Sequence, residues 1–205
     1  MLINRLTLFF GVAFASLIVG GCEEQAAPLD SNVAAATLTE GAVTGDAGPA
    51  IALTGRITDQ ADLLDAAAEK ALTEKLEKLE KEVGPQFVVA TTKSLNGQAI
   101  ERYSINLARA WGIGHVDRKD GVILLVAPNE RKVRIEVGYG LEGSLSDSFC
   151  AEVIREDILP IFKDGKMEEG IIAGADRLIE KMRMSPTIKL NDNDLSAPIE
   201  EKLAS

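Results

Sequence analysis

Apolar residues recur at helical spacing in four stretches of this chain, separated by continuous or alternating apolar runs. Leu72, Leu76, Leu79 and Val83 mark the first helix, with Asp65 placed to cap it and Gly84-Pro85 to stop it. Glu74–Lys78 and Glu77–Lys81 are supportive i,i+4 pairs on its wet side, so that charge run reads as a solvated face. Ile100, Tyr103, Leu107 and Trp111 mark a second helix, which Gly112 and Gly114 end. Phe149, Val153, Ile154 and Ile158 mark a third, ending at Pro160, and Met167, Ile171, Leu178 and Met182 a fourth.

The intervening runs read as strands. Phe87-Val88-Val89-Ala90 is continuously apolar, as in a strand buried on both faces. Val122-Ile123-Leu124-Leu125-Val126 reads as the central strand. After a Pro128-Asn129-Glu130 turn, Lys132 to Val137 alternates polar and apolar, the mark of a strand with one wet face. Arg56-Ile57-Thr58-Asp59 is a further short extended segment, and Leu95-Asn96-Gly97 turns the chain before the second helix. The crossover through that helix predicts parallel, right-handed pairing of the first two apolar strands, and the hairpin adds an antiparallel one. The expected class is α/β: a three-layer α/β/α sandwich around a small mixed, mostly parallel sheet.

The N-terminus follows a different pattern. Arg5 precedes an apolar run from Leu6 to Val19, interrupted only by small polar residues, and the run ends in Val19-Gly20-Gly21-Cys22. That is too short and wrongly flanked for a comfortable membrane span, and it reads as a signal peptide. The small residues before Cys22 resemble the bacterial lipobox, where little bulk flanks the scissile bond and the thiol accepts lipid. The expected layout is a signal peptide over 1–21, lipidated Cys22 with a flexible tether over 22–53, one domain over 54–184 and a polar tail over 185–205. Thirty residues of flexible coil span about 30 Å, enough to stand a domain off a lipid surface. Glu23 stands where Asp would signal retention in the inner membrane, so the periplasmic face of the outer membrane is favoured.

Charge and cysteine count narrow the chemistry. The 205-residue chain carries a formal charge of −10, and loss of residues 1–21, whose one charge is Arg5, makes it −11. Such a polyanion is a poor nucleic-acid binder; solubility, cations or a basic partner fit it better. With Cys22 assigned to lipid, Cys150 has no disulfide partner. It lies in an apolar helical stretch and reads as a buried small hydrophobe, not as a redox centre. No spacing supports a dyad with His115, the single histidine.

Acidic residues and glycines gather in the loops. Asp59 and Asp62 precede the first helix, Asp117 and Asp120 precede the central strand, and Gly138-Tyr139-Gly140-Leu141-Glu142-Gly143 leads to Asp147. Carboxylates beside glycine-rich backbone suit calcium or magnesium, which take oxygen ligands. Simpler roles are open too: Asp147 can cap the next helix, and Asp120 can open a turn before Gly121. No P-loop, G-x-S-x-G or H-E-x-x-H motif occurs. The run from Gly138 to Gly143 fits G-x-G-x-x-G formally, but no parallel βαβ unit follows it. Asp192 and Asp194 mimic only part of a calcium loop.

Trp111-Gly112-Ile113-Gly114, then Asp120-Gly121 with its apolar strand, then Arg131 to Val137 and the glycine run to Gly143 resemble the TPM domain in order and spacing. The resemblance extends from about Thr54 to Met182. This family includes thylakoid-lumen proteins linked to photosystem II repair, an accessory subunit of animal acetylcholine receptors and bacterial membrane-anchored proteins. It implies the sandwich argued above. Asp59, Asp120, Glu142 and Asp147 match its acidic positions as candidate metal ligands, with Asp62 and Glu136 as weaker candidates. Two functions are implied. One is a lipid-anchored module of the cell envelope that binds a divalent cation and a protein partner. The other is a metal-assisted acid phosphatase, in which the cation neutralises phosphate charge and a carboxylate orients water.

Overall fold

A computed structural model describes residues 51–185. The signal segment, Cys22, the tether up to residue 50 and the Asp192/Asp194 tail lie outside the described residues. The chain divides at Val43/Thr44 into two units, and every described residue belongs to the second.

Strands and helices alternate along the first part of the described residues. The first is a short edge strand, β1 (Ile57–Asp59). Helix α1 (Ala66–Val83) starts where Asp65 accepts the Ala68 N–H at 2.7 Å, and stops at Gly84, whose φ is 98°. Strand β2 (Gln86–Thr91) is buried at every position. Helix α2 (Ile100–Trp111) ends at Gly112 in the left-handed conformation. Strands β3 (Gly121–Ala127) and β4 (Lys132–Val137) form the hairpin. The sheet order is β1-β2-β3-β4, with the first three strands parallel and β4 antiparallel. The mixed α/β sandwich expected from the pattern is present.

Alternation along the buried strands supplies two separate cores. Phe87, Val89, Val122, Leu124 and Val126 meet Leu72, Leu76 and Leu79 of α1 and the C-terminal helices. Val88, Ala90, Ile123 and Leu125 meet Ile100, Tyr103, Leu107 and Trp111 of α2. The helices α1 and α2 thus cover opposite faces, although the chain steps the same way across the sheet each time. The two crossovers therefore have opposite hands, and one departs from the right-handed preference.

The third predicted helix does not end at Pro160. It runs on through α3 (Asp147–Glu152), a π-helical turn (Val153–Ile158) and α4 (Leu159–Lys163). Pro160 lacks an N–H and would collide with the carbonyl four residues back in a regular α-helix. The π turn shifts the ladder just before it, with the Leu159 N–H donating to the Ile154 carbonyl, and Pro160 then opens the next α segment. Helix α5 (Met167–Met184) packs close against this stretch. A Cβ at Gly170 would come within 2.6 Å of Phe162, and one at Gly174 within 2.4 Å of Ile158. No helix among the described residues is long and apolar enough to cross a membrane.

Candidate functional site

The polar residues of the domain collect at the two ends of the parallel strands. At the end where β2 and β3 begin, Gln86 is fully buried and joins three segments. Its Nε2 donates to Glu80 Oε1 at 3.1 Å, and its Oε1 accepts the Gly114 N–H at 3.0 Å. Glu80 also pairs with the buried Arg56. Beside them Asp120, 3% exposed, accepts from the His115 backbone N–H (2.9 Å) and from Arg118 Nε (2.7 Å), with His115 Nδ1 at 2.8 Å. Its carboxylate is filled by internal partners on both oxygens. Burying it without them would be costly.

The glycines at this end serve backbone packing. A Cβ on Gly140 would lie 1.8 Å from the Arg118 carbonyl oxygen, and one on Gly138 would lie 2.1 Å from that of Lys119. Gly114 and Gly121 face each other as closely: a Cβ on either would lie 2.4 Å from backbone of the other's loop. The Gly140 N–H donates to the Lys119 carbonyl at 3.0 Å and the Gly138 N–H to that of Gly121 at 2.8 Å. The glycine run lets one loop lie against another, with Tyr139 held outward between two of these contacts, 77% exposed.

The opposite end, where β1 and β2 finish, is built from hydroxyls and two carboxylates. Asp59 Oδ2 caps the Leu63 and Leu64 N–H groups at 2.7 and 2.8 Å, and Oδ1 accepts from the Thr91 hydroxyl. Thr92 Oγ1 lies within hydrogen-bond reach of Gln60 Oε1 (3.0 Å) and the Tyr103 hydroxyl (3.2 Å). Glu130 Oε1 accepts the Leu95 N–H at 2.8 Å, while its Oε2 is enclosed without a hydrogen-bond partner. The Leu95 N–H holds the Glu130 carboxyl below the usual range. Crevices at this end of parallel strands are where open α/β sheets commonly take ligands.

The structure divides the four carboxylates that the resemblance implies. Asp59 pairs with Thr91, and Gly121, next to Asp120, pairs with Gln86, five residues earlier on β2. At roughly 3.3 Å per residue that is about 17 Å, far beyond the reach of one ion with ligands at 2.3–2.6 Å. Glu142 and Asp147 are exposed and follow β4 off the Asp120 end. Asp147 lies in the first turn of α3, whose cap is Ser146, accepting the Phe149 N–H at 3.3 Å. Asp62 is exposed with φ 58°, and Glu136 accepts from Ser104 (2.9 Å) and Arg134 (3.1 Å). Among the described residues, no three His, Cys, Asp or Glu side chains converge as a metal-holding group. Cys150 packs in the α1-side core and His115 is engaged with Asp120, so the two form no dyad. Gln86, Thr91, Thr92 and Glu130 carry no motif; the one sequence signal was a polar residue set directly against an apolar strand.

The sequence profile of the TPM domain matches residues 57–181, more than half of the chain. The chain belongs to the TPM-domain family. Solved structures agree. The N-terminal domain of a protein from P. gingivalis is 32% identical, covering 63% of this chain and 82% of its own, with a TM-score of 0.59. The BA42 protein of the psychrophilic bacterium Bizionia argentinensis is 20% identical over 67% of this chain and 93% of its own, with a TM-score of 0.55. The N-terminal domain of the cg2496 protein of Corynebacterium glutamicum is 14% identical over 74% and 96%, with a TM-score of 0.51. The last two support the fold alone. No curated protein matches the chain. Gly114, Gly121, Gly138 and Gly140, which lie among the residues that carry the resemblance, form a glycine lock in which loop backbone packs on loop backbone.

Two outcomes follow from this geometry. Gly140→Ala forces a methyl into the Arg118 carbonyl, whereas Gly143 has nothing within 4 Å of an added Cβ. In denaturant titrations, Gly140→Ala should lose about 3 kcal/mol or more, and Gly143→Ala should stay within about 0.5 kcal/mol of the parent. Burial, with the nearby Asp147 charge, pushes the Cys150 thiol up to about 11. At pH 7 about one thiol in ten thousand is then ionised. In the folded Cys22→Ser chain a thiol reagent should find no fast-reacting group until denaturant is added.

Proposed function

We propose that this chain is a lipid-anchored TPM-domain module on the periplasmic face of a bacterial membrane, the outer membrane by preference, acting through binding and not through turnover. Its ligands are a divalent cation, calcium or magnesium, and a protein of the cell envelope. One observation carries the binding reading: the two most enclosed candidate carboxylates, Asp59 and Asp120, are occupied by internal donors. They stabilise loops and have no free oxygen facing a substrate. A metal-assisted phosphatase needs such carboxylates to hold its ion and orient water, so the phosphatase reading has less support.

The cation part narrows to the exposed carboxylates Glu142 and Asp147, each open to a partly hydrated ion. Magnesium in particular keeps several waters and uses one or two protein carboxylates. The anchor rests on Val19-Gly20-Gly21-Cys22. Several acyl chains, at about 0.8 kcal/mol per buried methylene, give firm attachment where one chain would not.

Expression in a Gram-negative host tests the anchor. The parent should yield a mature chain starting at Cys22 with acyl mass added, and Cys22→Ser should accumulate unprocessed; normal cleavage of Cys22→Ser would sink the reading. For the cation, calcium or magnesium at 100 times its Kd should stabilise the mature chain by about 2.7 kcal/mol, seen as a raised Tm. Glu142→Gln with Asp147→Asn should abolish that rise. An unchanged Tm in the parent at saturating metal counts against cation binding.

A further inference from the structure

We propose that the end of the sheet carrying the glycine lock is the face this domain lays against the lipid surface that holds it, through Tyr139, Val116 and Lys119. The inference deepens the anchoring reading above and takes its membrane from it. Among the described residues only three large apolar side chains are strongly exposed: Val116 at 83%, Tyr139 at 77% and Met184 at 70%. Two of the three stand on adjoining loops at one end of the sheet. The Lys119 N–H donates to the His115 carbonyl at 2.6 Å, closing the turn that carries Val116. The Gly140 N–H donates to the Lys119 carbonyl, tying the Tyr139 turn to it, and Lys119 Nζ lies 5.9 Å from the centre of the Tyr139 ring.

This patch is rigid, because the glycines on both sides of Tyr139 are packed on backbone. A tyrosine has an apolar body and a polar tip, which suits the headgroup layer, and the lysine beside it is attracted to anionic lipid. Asp117 and Glu142 stand at its rim.

The chain's point of entry selects the lipid surface as the occupant. Ile51 is buried, and its carbonyl accepts Trp111 Nε1–H at 3.1 Å. Trp111 closes α2 at the same end of the sheet, so the segment from Cys22 joins the domain on the side where Tyr139 and Val116 stand. Residues 23–50 link the anchor to that point. A tether of this length turns contact with the bilayer into an intramolecular event at about millimolar effective concentration. Two side chains too weak to recruit a free protein are then enough to orient a tethered one. The end with Asp59, Thr92 and Glu130 is left facing away from the lipid.

The test uses the mature chain, residues 22–205, coupled through Cys22 to a maleimide lipid in vesicles of phosphatidylethanolamine and phosphatidylglycerol. Cys150 is buried, which directs the coupling to Cys22. Tyr139→Trp and, at the opposite end, Asn129→Trp each add a fluorophore to the buried Trp111. With brominated acyl chains, Y139W should lose most of its added emission and N129W should keep its own. Adding Val116→Asp and Lys119→Glu to Y139W should restore the emission. Equal quenching at both ends, no quenching of Y139W, or quenching that survives V116D/K119E overturns the proposal. If quenching is absent and a photocross-linker at position 139 captures an envelope protein, the patch belongs to a protein partner. The coupling is chemical, so a failure of natural lipidation, read by mass spectrometry of the N-terminus from cells, is a separate result.

Discussion

The Gly140 Cα carries only hydrogens where the Arg118 carbonyl oxygen arrives, and the rest of the domain depends on that approach. Any larger residue would place a carbon 1.8 Å from the oxygen, so one loop would have to leave the other. The loop between α2 and β3 would then lose its hydrogen bonds to Gly138 and Gly140. It is this loop that delivers the Gly114 N–H to Gln86 and sets Asp120 beneath His115. Gln86 and Gly121 are paired across β2 and β3. The lock therefore sits at the origin of the sheet's register, and a one-residue slip there would exchange the two cores.

The buried charges answer to the same constraint. Asp120 is almost wholly enclosed, which is tolerable only because Arg118 and the His115 N–H reach its oxygens. These donors lie on the loop that the glycines hold in place. Taking away one partner of such a buried group typically costs about 3–5 kcal/mol, since the other is left charged and dry. A carboxylate used this way is a poor choice for a ligand that must come and go. That reasoning separates Asp120 from the exposed Glu142 and Asp147, although all three stand in acidic, glycine-bearing loops that flank the β3–β4 hairpin.

Much of the fold was legible because its elements are periodic. Leu72, Leu76 and Leu79 repeat at a helical interval and all face one core, and the runs at Phe87 and Val122 are buried as their continuous apolarity implies. Pro160 misled, because the rule that proline ends a helix concerns regular α geometry, and a π turn removes the conflict without leaving the helix. The candidate site was less legible. Its carboxylates were grouped by loop: Asp59 closes a short extended segment and Asp120 precedes the central strand, but nothing in the sequence says that the first segment joins the same sheet in parallel. Parallel pairing places those positions at opposite ends of the sheet. The dense glycines read as backbone open to a ligand or a sharp bend, and the group they admit is the chain's own backbone.

The separation of the two ends bears on how such a domain can vary. The glycine lock and the hydroxyl-lined end lie about 17 Å apart along β2, beyond the range over which substitutions usually couple. Residues such as Gln60, Ser94 and Glu130 act on loops at their own end and touch none of the locking glycines. They can change without disturbing register or the packing of Asp120. Tyr139 is in the opposite situation: its side chain faces solvent, but its backbone lies between Gly138 and Gly140 within the lock. Its presentation is as rigid as the core. One end of the sheet thus combines fixed shape with an exposed aromatic, and the other combines buried hydroxyls with a carboxyl that the Leu95 N–H holds below the usual range.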